Sequence, residues 1–550
     1  MWVGGLQSVT IAERSETVTV VEAIADELVA AGVDRVFGLP GGEVLALIEA
    51  IRSRGIEFVL CRHEADAGLM AAVYGKLSGR VGVVLTTLGP GAANLTLALA
   101  NSLLDREPLL AISAATPTSW PLQHTHQRLP LLEMHRPLVK RAEAVNRFNV
   151  RRAVRGAIAA CLEEPLGPAY LTVTAEDATQ MSGAPLSNIS NTIERPSLFS
   201  GDAAQTLRQK LAAAERPLVL LGLGMRSANA GRLRAWLDRW HLPVAVTPKV
   251  KGLVDETRPN FVGVVGGMSL DELMVEALQQ SDLLIGLGMD PVELDKRWHA
   301  ELPISWFLES PMATGILPSG DVHLCAHADL LDELSRQDAP RIWDDPFATI
   351  RERRRAVAER GTGNEQGDGT VAPTEIVRAL AAIMPSNTIV TTDVGSHKYL
   401  FGQFWPNREP ETFFMSNGLS GMGYGLPAAI GAKLARPDSP VLAAIGDGGF
   451  SMNSQELETA KRYGAEIIVV VLNDNSYSLI RHAQASRGLP QYGVDFAPID
   501  TVRTAEACGF QAARVSTADE LAERVSASVG RGEGLVVEVP VDVNDYRGLV

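Results

Sequence analysis

The stretch GDGGFSMNSQELETAKRYGAEIIVVVLNDNSYSLI, Gly446 to Ile480, decides the fold. It follows an apolar run, VLAAI, passes through a helix-like segment, and returns through a second apolar run, EIIVVVL, to Asn473-Asp474-Asn475. Strand, helix and strand in that order predict a β-α-β unit with one acid at the end of each strand. The crossover brings Asp447 and Asp474 to the same sheet edge, where open parallel sheets bind ligands. Two carboxylates and a loop carbonyl there make a hard oxygen site that suits Mg²⁺ with a bound diphosphate. Gly446, Gly448 and Gly449 let the backbone approach phosphates, and the helix N-terminus adds a favourable dipole. An ordinary dinucleotide-type turn with surface acids would also read GDG; the spacing of the whole unit, through to NDN, carries the stronger signal.

Outward from this stretch, 550 residues imply more than one domain. The composition, 46% apolar and 21% charged, is that of ordinary globular proteins. A net charge of −15 argues against nucleic acid as a partner. The four cysteines, Cys61, Cys161, Cys325 and Cys508, form no CxxC pair and no metal spacing, and read as reduced thiols. The opening MWVGGLQSVTIAERSE lacks a basic region followed by an apolar core, and no apolar run approaches a membrane span. A cytoplasmic protein with no membrane partner is therefore expected.

In chain order, residues 1–16 read as a loose arm. From 17 to 182, the strands RVFG, EFVLCRHE, VGVVL, PLLAISAAT and AYLTVTAED alternate with helices such as TVTVVEAIADELVAAGV and ADAGLMAAVYGKLSG. This alternation predicts a doubly wound parallel sheet. GAPLSNISNTIERPSLFSG reads as a linker. A second α/β unit, 195–345, contains PLVLLGLG, PVAVTPK, SDLLIGLG, ISWFLE and VHLCA; a charged helix and GTGNEQGDGTVAP lead to a third, 370–545. The fold class is thus α/β, with three doubly wound parallel-sheet domains. Within the first, Glu64 closes the apolar run FVLCRHE and opens a helix of small residues. Such an acid either caps a first turn or supplies a carboxyl group in an apolar setting for proton chemistry.

The Gly446–Ile480 stretch looks like the thiamin diphosphate (ThDP) motif, and the resemblance extends from about 17 to 545. VFGLPGG at 36–42, RHEADAGLMA at 62–71, TTLGPGAANL at 86–95 and SNGLSGMGYGLPAAIGAKLA at 416–435 resemble the acetolactate synthase branch of ThDP-dependent 2-oxo acid decarboxylases and carboligases. The resemblance implies pyrimidine-binding, central and diphosphate-binding domains. It also implies a homodimer or homotetramer with the active site between the first domain of one subunit and the third of another. Asp447, Asp474 and the carbonyl of Ser476 would hold the metal. Gly395, Ser396, His397, Gly421, Met422, Gly446, Gly448, Gly449 and Tyr477 would contact the cofactor, Met422 as the wedge between its rings, although a core methionine would look the same. Glu64 would hydrogen-bond the aminopyrimidine, and Gln127 would act beside it on the substrate. Pro40, Gly41, Gly42 and His126 would lie near the substrate, and Lys140 matches a downstream lysine. His124 and His126 replace an apolar-rich stretch; the pair is similar to decarboxylases that release aldehydes, although a surface-loop histidine is the commoner explanation for each.

Two departures bear on function. FAD-containing members carry an Arg-rich stretch after the strand that is here DLLIGLG; this chain has MDPVELDKRWH, Met289 to His299, similar to the FAD-independent branch, so FAD is not expected. Ala483 stands where biosynthetic members have a Trp, and with Leu479 and Ile480 it is expected to line a pocket open to a larger donor or acceptor. The expected activity is ThDP- and Mg²⁺-dependent decarboxylation of a pyruvate-like 2-oxo acid with carboligation to a second carbonyl acceptor. The alternative is a non-ligating decarboxylase or a 2-hydroxyacyl-CoA lyase. A nucleotide-dependent oxidoreductase would need a GxGxxG fingerprint that the lone GLG at 222–224 does not supply.

Overall fold

Runs of Val, Leu, Ile and Ala become strands buried on both faces where helices cover both sides of a parallel sheet. The computed structural model describes residues 17–117, 119–121, 123–182, 201–294, 302–311, 316–360 and 369–549, and it contains three six-stranded sheets in which every pairing is parallel. The first sheet comprises β1 (Arg35–Gly38), β2 (Glu57–Leu60), β3 (Gly82–Thr86), β4 (Leu109–Ala115), β5 (Arg141–Val145) and β6 (Pro168–Thr174), in the order β2-β1-β3-β4-β6-β5. The second comprises β7 (Pro217–Leu221), β8 (Val244–Val246), β9 (Phe261–Val264), β10 (Leu283–Leu287), β11 (Ile304–Leu308) and β12 (Asp321–Leu324), in the order β12-β11-β10-β7-β8-β9. The third comprises β13 (Ile389–Thr392), β14 (Phe413–Met415), β15 (Val441–Gly446), β16 (Ile468–Asn473), β17 (Gln511–Arg514) and β18 (Leu535–Pro540), in the order β14-β13-β15-β16-β18-β17. The α/β architecture in three units is as the strand alternation predicts. The strand order switches direction between β1 and β3, between β7 and β10, and between β13 and β15, and each of these switch points leaves a crevice at the carboxyl ends.

The sequence reading passed over β5 and β9. β5 (RAEAV) is an edge strand that is only partly buried, and β9 (FVGV) is short. The strand expected to run to Glu64 stops at Leu60. Glu64 is instead the first residue of the helix Glu64–Ser78, with His63 Nδ1 accepting from the Ala65 amide at 3.2 Å. The segment after GDG is two helices, Asp447–Asn453 and Glu456–Arg462, rather than one. The N-terminal arm, the linker stretch 183–200 and residues 361–368 of the second linker lie outside the described residues, as do residues 295–299 of the stretch that follows β10. Among the described residues, no helix is long and apolar enough to cross a membrane.

The first and third sheets are joined in one chain by two small-residue helices, EADAGLMAAVYGKLS (Glu64–Ser78) and GLPAAIGAKLA (Gly425–Ala435), which pack on each other and are buried almost all round. Ala and Gly at the contact let the backbones approach: a Cβ on Gly431 would lie 2.4 Å from the Met70 carbonyl oxygen. Polar ties reinforce the joint. Glu456 Oε1 accepts from the amides of Arg62 (2.9 Å) and His63 (3.0 Å), and Arg35 Nη1 donates to Leu434 O at 2.7 Å. Gly431→Ala is expected to destabilise the protein by about 1–3 kcal/mol through overpacking, measured by thermal or denaturant unfolding. Wild-type stability in that variant would contradict the close contact.

Candidate active site

Three strands of the third sheet end in acids: Asp393 follows β13, Asp447 follows β15 and Asp474 follows β16. The crevice between β13 and β15 opens into a cavity of about 230 Å³. Its lining includes Gly395, Ser396, His397, Met422, Gly446, Asp447, Gly448, Gly449, Asp474, Ser476, Tyr477, Leu479 and Ile480. Most of the residues assigned to cofactor and metal by resemblance thus come together here from four separate loops.

The two acids are held by main-chain donors. Asp447 Oδ1 accepts from the Gly448 amide and Oδ2 from the Asn475 amide, both at 2.8 Å, so this side chain clamps the loop after β16 to the loop after β15. Asp474 Oδ1 accepts from the Ser476 amide at 3.0 Å. Asn475 takes a left-handed φ of 54°, a conformation Asn adopts more readily than bulkier residues. Burial pushes the Asp447 carboxyl up to about 6. Burial, then the charge of Asp447, pushes Asp474 up to about 7. The Ser476 hydroxyl donates to Val494 O at 3.2 Å, so any ligand role of this residue falls to its main chain.

The cavity fits a magnesium-diphosphate group. Among the described residues, no three His, Cys, Asp or Glu side chains gather as a metal cage. Two carboxylates that leave the remaining coordination to water and phosphate oxygens are what Mg²⁺ favours. His397 Nε2 is buried without a hydrogen-bond partner, and burial pulls this imidazole down to about 4, so it is neutral at pH 7. The Asn475 side-chain oxygen is likewise buried and unpartnered. The helix that begins at Asp447 points its N-terminus at the same space.

Some residue identities have causes the sequence did not disclose. A Cβ on Gly449 would fall 1.7 Å from Asp393 Oδ2, so this glycine makes room for an acid rather than for a phosphate. Asp393 in turn accepts from the amides of Val394 (2.9 Å), Gly423 (3.0 Å) and Tyr424 (3.2 Å), which pins the turn that carries Met422. From the first domain, Asp105 accepts from the amides of Asn417 (3.2 Å) and Gly418 (2.8 Å) and fixes the start of the same loop. Tyr546, from the turn Val543–Tyr546, lines the cavity, and burial with the nearby Asp474 and Asp447 charges pushes its phenol well up. A third strand-end acid was the available signal for Asp393; nothing in the local sequence marks Asp105 or Tyr546.

Not every expected residue joins this cavity. Gly421 lies behind it, its amide donating to Ser416 Oγ at 2.9 Å. Ala483 sits one turn beyond Leu479 on the helix Ser478–Ser486 and is not part of the lining. Lys140 Nζ donates to the carbonyls of Glu163 (2.6 Å) and Pro165 (2.8 Å), which ties down a loop elsewhere. A second group gathers at the crevice of the first sheet. There, Pro40, Gly41 and Gly42 follow β1, with Gly41 packed against Thr87; Gln127 lies over Gly89; and Glu64 Oε2 accepts from Asn94 Nδ2 at 2.9 Å. His124 and His126 are exposed beside it, His124 edge-on to Trp120. Among the described residues, none from 17–182 lines the cavity between β13 and β15.

Three parallel six-stranded sheets, with a carboxylate-flanked crevice in the third, are the arrangement in which the thiamine diphosphate enzyme domains are matched. Models of the thiamine pyrophosphate (ThDP) enzyme domains match each part: the N-terminal TPP binding domain at 18–134, the central domain at 204–309 and the C-terminal TPP binding domain at 393–539. The chain is 29% identical to the acetolactate synthase of Bacillus subtilis strain 168, over 96% of this chain and 94% of that protein. It is 30% identical to the acetolactate synthase isozyme 2 large subunit of Escherichia coli K12, over 84% of each. The solved structure of a thiamine diphosphate-dependent 4-hydroxybenzoylformate decarboxylase from Rhodococcus jostii RHA1 shares the fold, with a TM-score of 0.84 at 22% identity over 96% of this chain and 99% of that one. The chain belongs to the ThDP-dependent, acetolactate synthase-like family, and it is an enzyme of the lyase/transferase kind.

The paired acids carry a pH signature. Both carboxyls are raised above the ordinary 3.8, so their contribution to stability is present at low pH and is lost as pH rises through about 6 and about 7. Without metal or cofactor, Asp474→Asn is expected to gain in melting temperature relative to wild type as pH goes from 5 to 8. A difference that is constant across this range would show that Asp474 is not raised in the folded protein.

Proposed function

We propose that this protein is a ThDP- and Mg²⁺-dependent enzyme that decarboxylates a pyruvate-like 2-oxo acid and joins the remaining fragment to a second carbonyl acceptor, giving an acetolactate-like product. The observation that carries this reading is the carboxylate pair Asp447–Asp474 at neighbouring strand ends, with a neutral buried His397 and an apolar Met422 in the same cavity. ThDP, when bound, would supply the electron sink for loss of CO₂. Asp447, Asp474 and the Ser476 main chain would hold the cation; Gly446, Gly448, His397 and the helix N-terminus would hold the diphosphate; Met422 would set the bend of the cofactor. Glu64 would hold a proton at the aminopyrimidine, and Gln127, with the Pro40–Gly42 turn, would orient the substrate.

Glu64 and the cavity lie on different sheets whose connecting helices pack back to back, which supports a site completed by a second copy of the chain. Exposed apolar residues stand on both halves: Leu97, Trp120 and Leu129 in the first domain, and Tyr477 and Ile480 on the lining of the cavity in the third. Such patches mark contact surfaces. We read the assembly as a homodimer or homotetramer in the cytoplasm. Leu479 and Ile480, rather than Ala483, would bound the substrate.

We further propose that flavin is not used. At the crevice between β7 and β10, the Gly222 amide donates to Leu287 O (2.9 Å) and the Gly224 amide to Gly288 O (2.7 Å), so neither is available to a phosphate. Glu164, Asp290, Glu293 and Glu309 stand around this crevice, Glu293 buried and raised to about 8 by that burial. Asp290 and Glu164 are neutralised by Arg106 and Arg226, and the Leu223 amide is taken by Glu293, so a dinucleotide diphosphate would find the glycine-turn amides already used. A second reading, a decarboxylase that releases an aldehyde, is favoured only by the exposed pair His124 and His126 beside Gln127.

With ThDP, Mg²⁺ and pyruvate, the purified protein is expected to release CO₂ and to form acetolactate, detected as acetoin. CO₂ without acetoin would favour the second reading. Glu64→Gln is expected to lower turnover about 100-fold or more, the scale of a lost proton-handling group, while ThDP binding by calorimetry is retained. Turnover close to wild type would remove Glu64 from the mechanism.

A further inference from the structure

A larger cavity, of about 490 Å³, lies where all three domains meet. One wall is the last turn of the helix Glu64–Ser78; the others come from the loops at 223–228, 249–253 and 410–414 and from the loops flanking β6 and β10. It is separate from the cavity between β13 and β15, with which it shares no lining residue.

Six cations line this space: Lys76, Arg80, Arg106, Arg226, Lys249 and Lys251. Five have acids. Arg80 faces Asp34 at 3.0 Å, and Arg106 meets Asp290 through two bonds of 2.7 and 3.0 Å. Arg226 faces Glu164 at 2.9 Å, Lys249 faces Glu107 at 3.3 Å, and Lys251 pairs with Glu256. Lys76 alone has no hydrogen bond or ion pair to any described residue. Burial, and after it the Lys249 charge, pulls its pKa down. Lys76 is partly exposed, its side chain lines the cavity, and its ammonium has three unused donors that an anion in this space can take up. The rest of the wall is largely apolar, with Leu162, Leu223 and Phe413 facing the space. The three lining acids are all engaged, Glu164 with Arg226, Asp290 with Arg106 and Glu411 with Arg436, so a cavity of this size with one unpaired charge and apolar wall segments has the form of a small-molecule site.

We propose that this cavity binds a small organic carboxylate, its anionic end on Lys76 and its apolar body against Leu162, Leu223 and Phe413. The ligand would touch all three domains, so its binding would stabilise their arrangement. The proposal does not depend on the reaction assigned above, because the site is formed without the ThDP cavity.

The test is calorimetric titration of the full chain, with ThDP and Mg²⁺ present, using acetate, hexanoate, 4-phenylbutyrate and the neutral 4-phenylbutanol. Affinity should rise along the carboxylate series and be about tenfold or more weaker for the alcohol, the scale of a charged hydrogen bond. Lys76→Gln should weaken 4-phenylbutyrate by a similar factor and leave the alcohol unchanged. Leu162→Trp, at a partly exposed wall position, should abolish binding by filling the space, and it serves if Lys76→Gln does not fold. Absence of saturable binding, or binding that persists in the variants, would overturn the proposal.

Discussion

Two carboxylates, Asp447 and Asp474, end neighbouring strands of one sheet and face the same cavity, with main-chain amides as their principal donors. Burial raises both carboxyls, the Asp447 charge adds to it at Asp474, and the amides pull the other way without cancelling the rise, so both acids hold their protons to higher pH than usual. Much of the surrounding structure follows from placing this pair. β15 and β16 fix the strand ends, Asp447 locks the two loops together, and the crevice beside β13 leaves room for what a cation and a diphosphate need. Met422 is held at the same cavity by a chain of acids behind it, with Asp393 pinning its turn and Asp105 pinning the loop that leads to it.

The second constraint is steric. The helices Glu64–Ser78 and Gly425–Ala435 approach so closely that Gly431 has no room for a side chain beside the Met70 carbonyl. This contact orients the first and third domains of a chain with their ligand-binding crevices apart. On the function proposed above, the Glu64 group and the Asp447–Asp474 cavity would be two half-sites, which a symmetric pair of chains would join twice over. The same constraint places Lys76, on the far end of the first helix, at the three-domain cavity rather than at either half-site.

What could be read from the sequence follows the physics of parallel sheets. Strands buried on both faces are written as unbroken apolar runs, so VLAAI and EIIVVVL are evident, and so are the acids that end them. β5 reads as RAEAV because it is an edge strand with partial exposure, and no apolar run marks it. Glu64 sits on a helix start rather than a strand end because the chain needs three residues after Leu60 to turn, and Glu456, nearly 400 positions away, holds that turn. Asp105 and Tyr546 act through contacts between distant segments, which one sequence does not encode locally, whereas Asp393 carried the signal of a third acid at a strand end. Ala483 illustrates the converse: sequence position brought it near the cavity, and helix geometry left it one turn short.

The most direct test of the two-half-site account is complementation between two inactive variants. Glu64→Gln lacks one half-site and Asp474→Asn the other. After mixing, dissociation and reassociation, half of the dimers pair one variant with the other, and each of these carries one intact site, so about a quarter of wild-type ThDP-dependent CO₂ release should return. A mixture as inactive as its parents, with mixed dimers verified by differential tagging, would show that Glu64 and Asp474 of different chains do not form a common site.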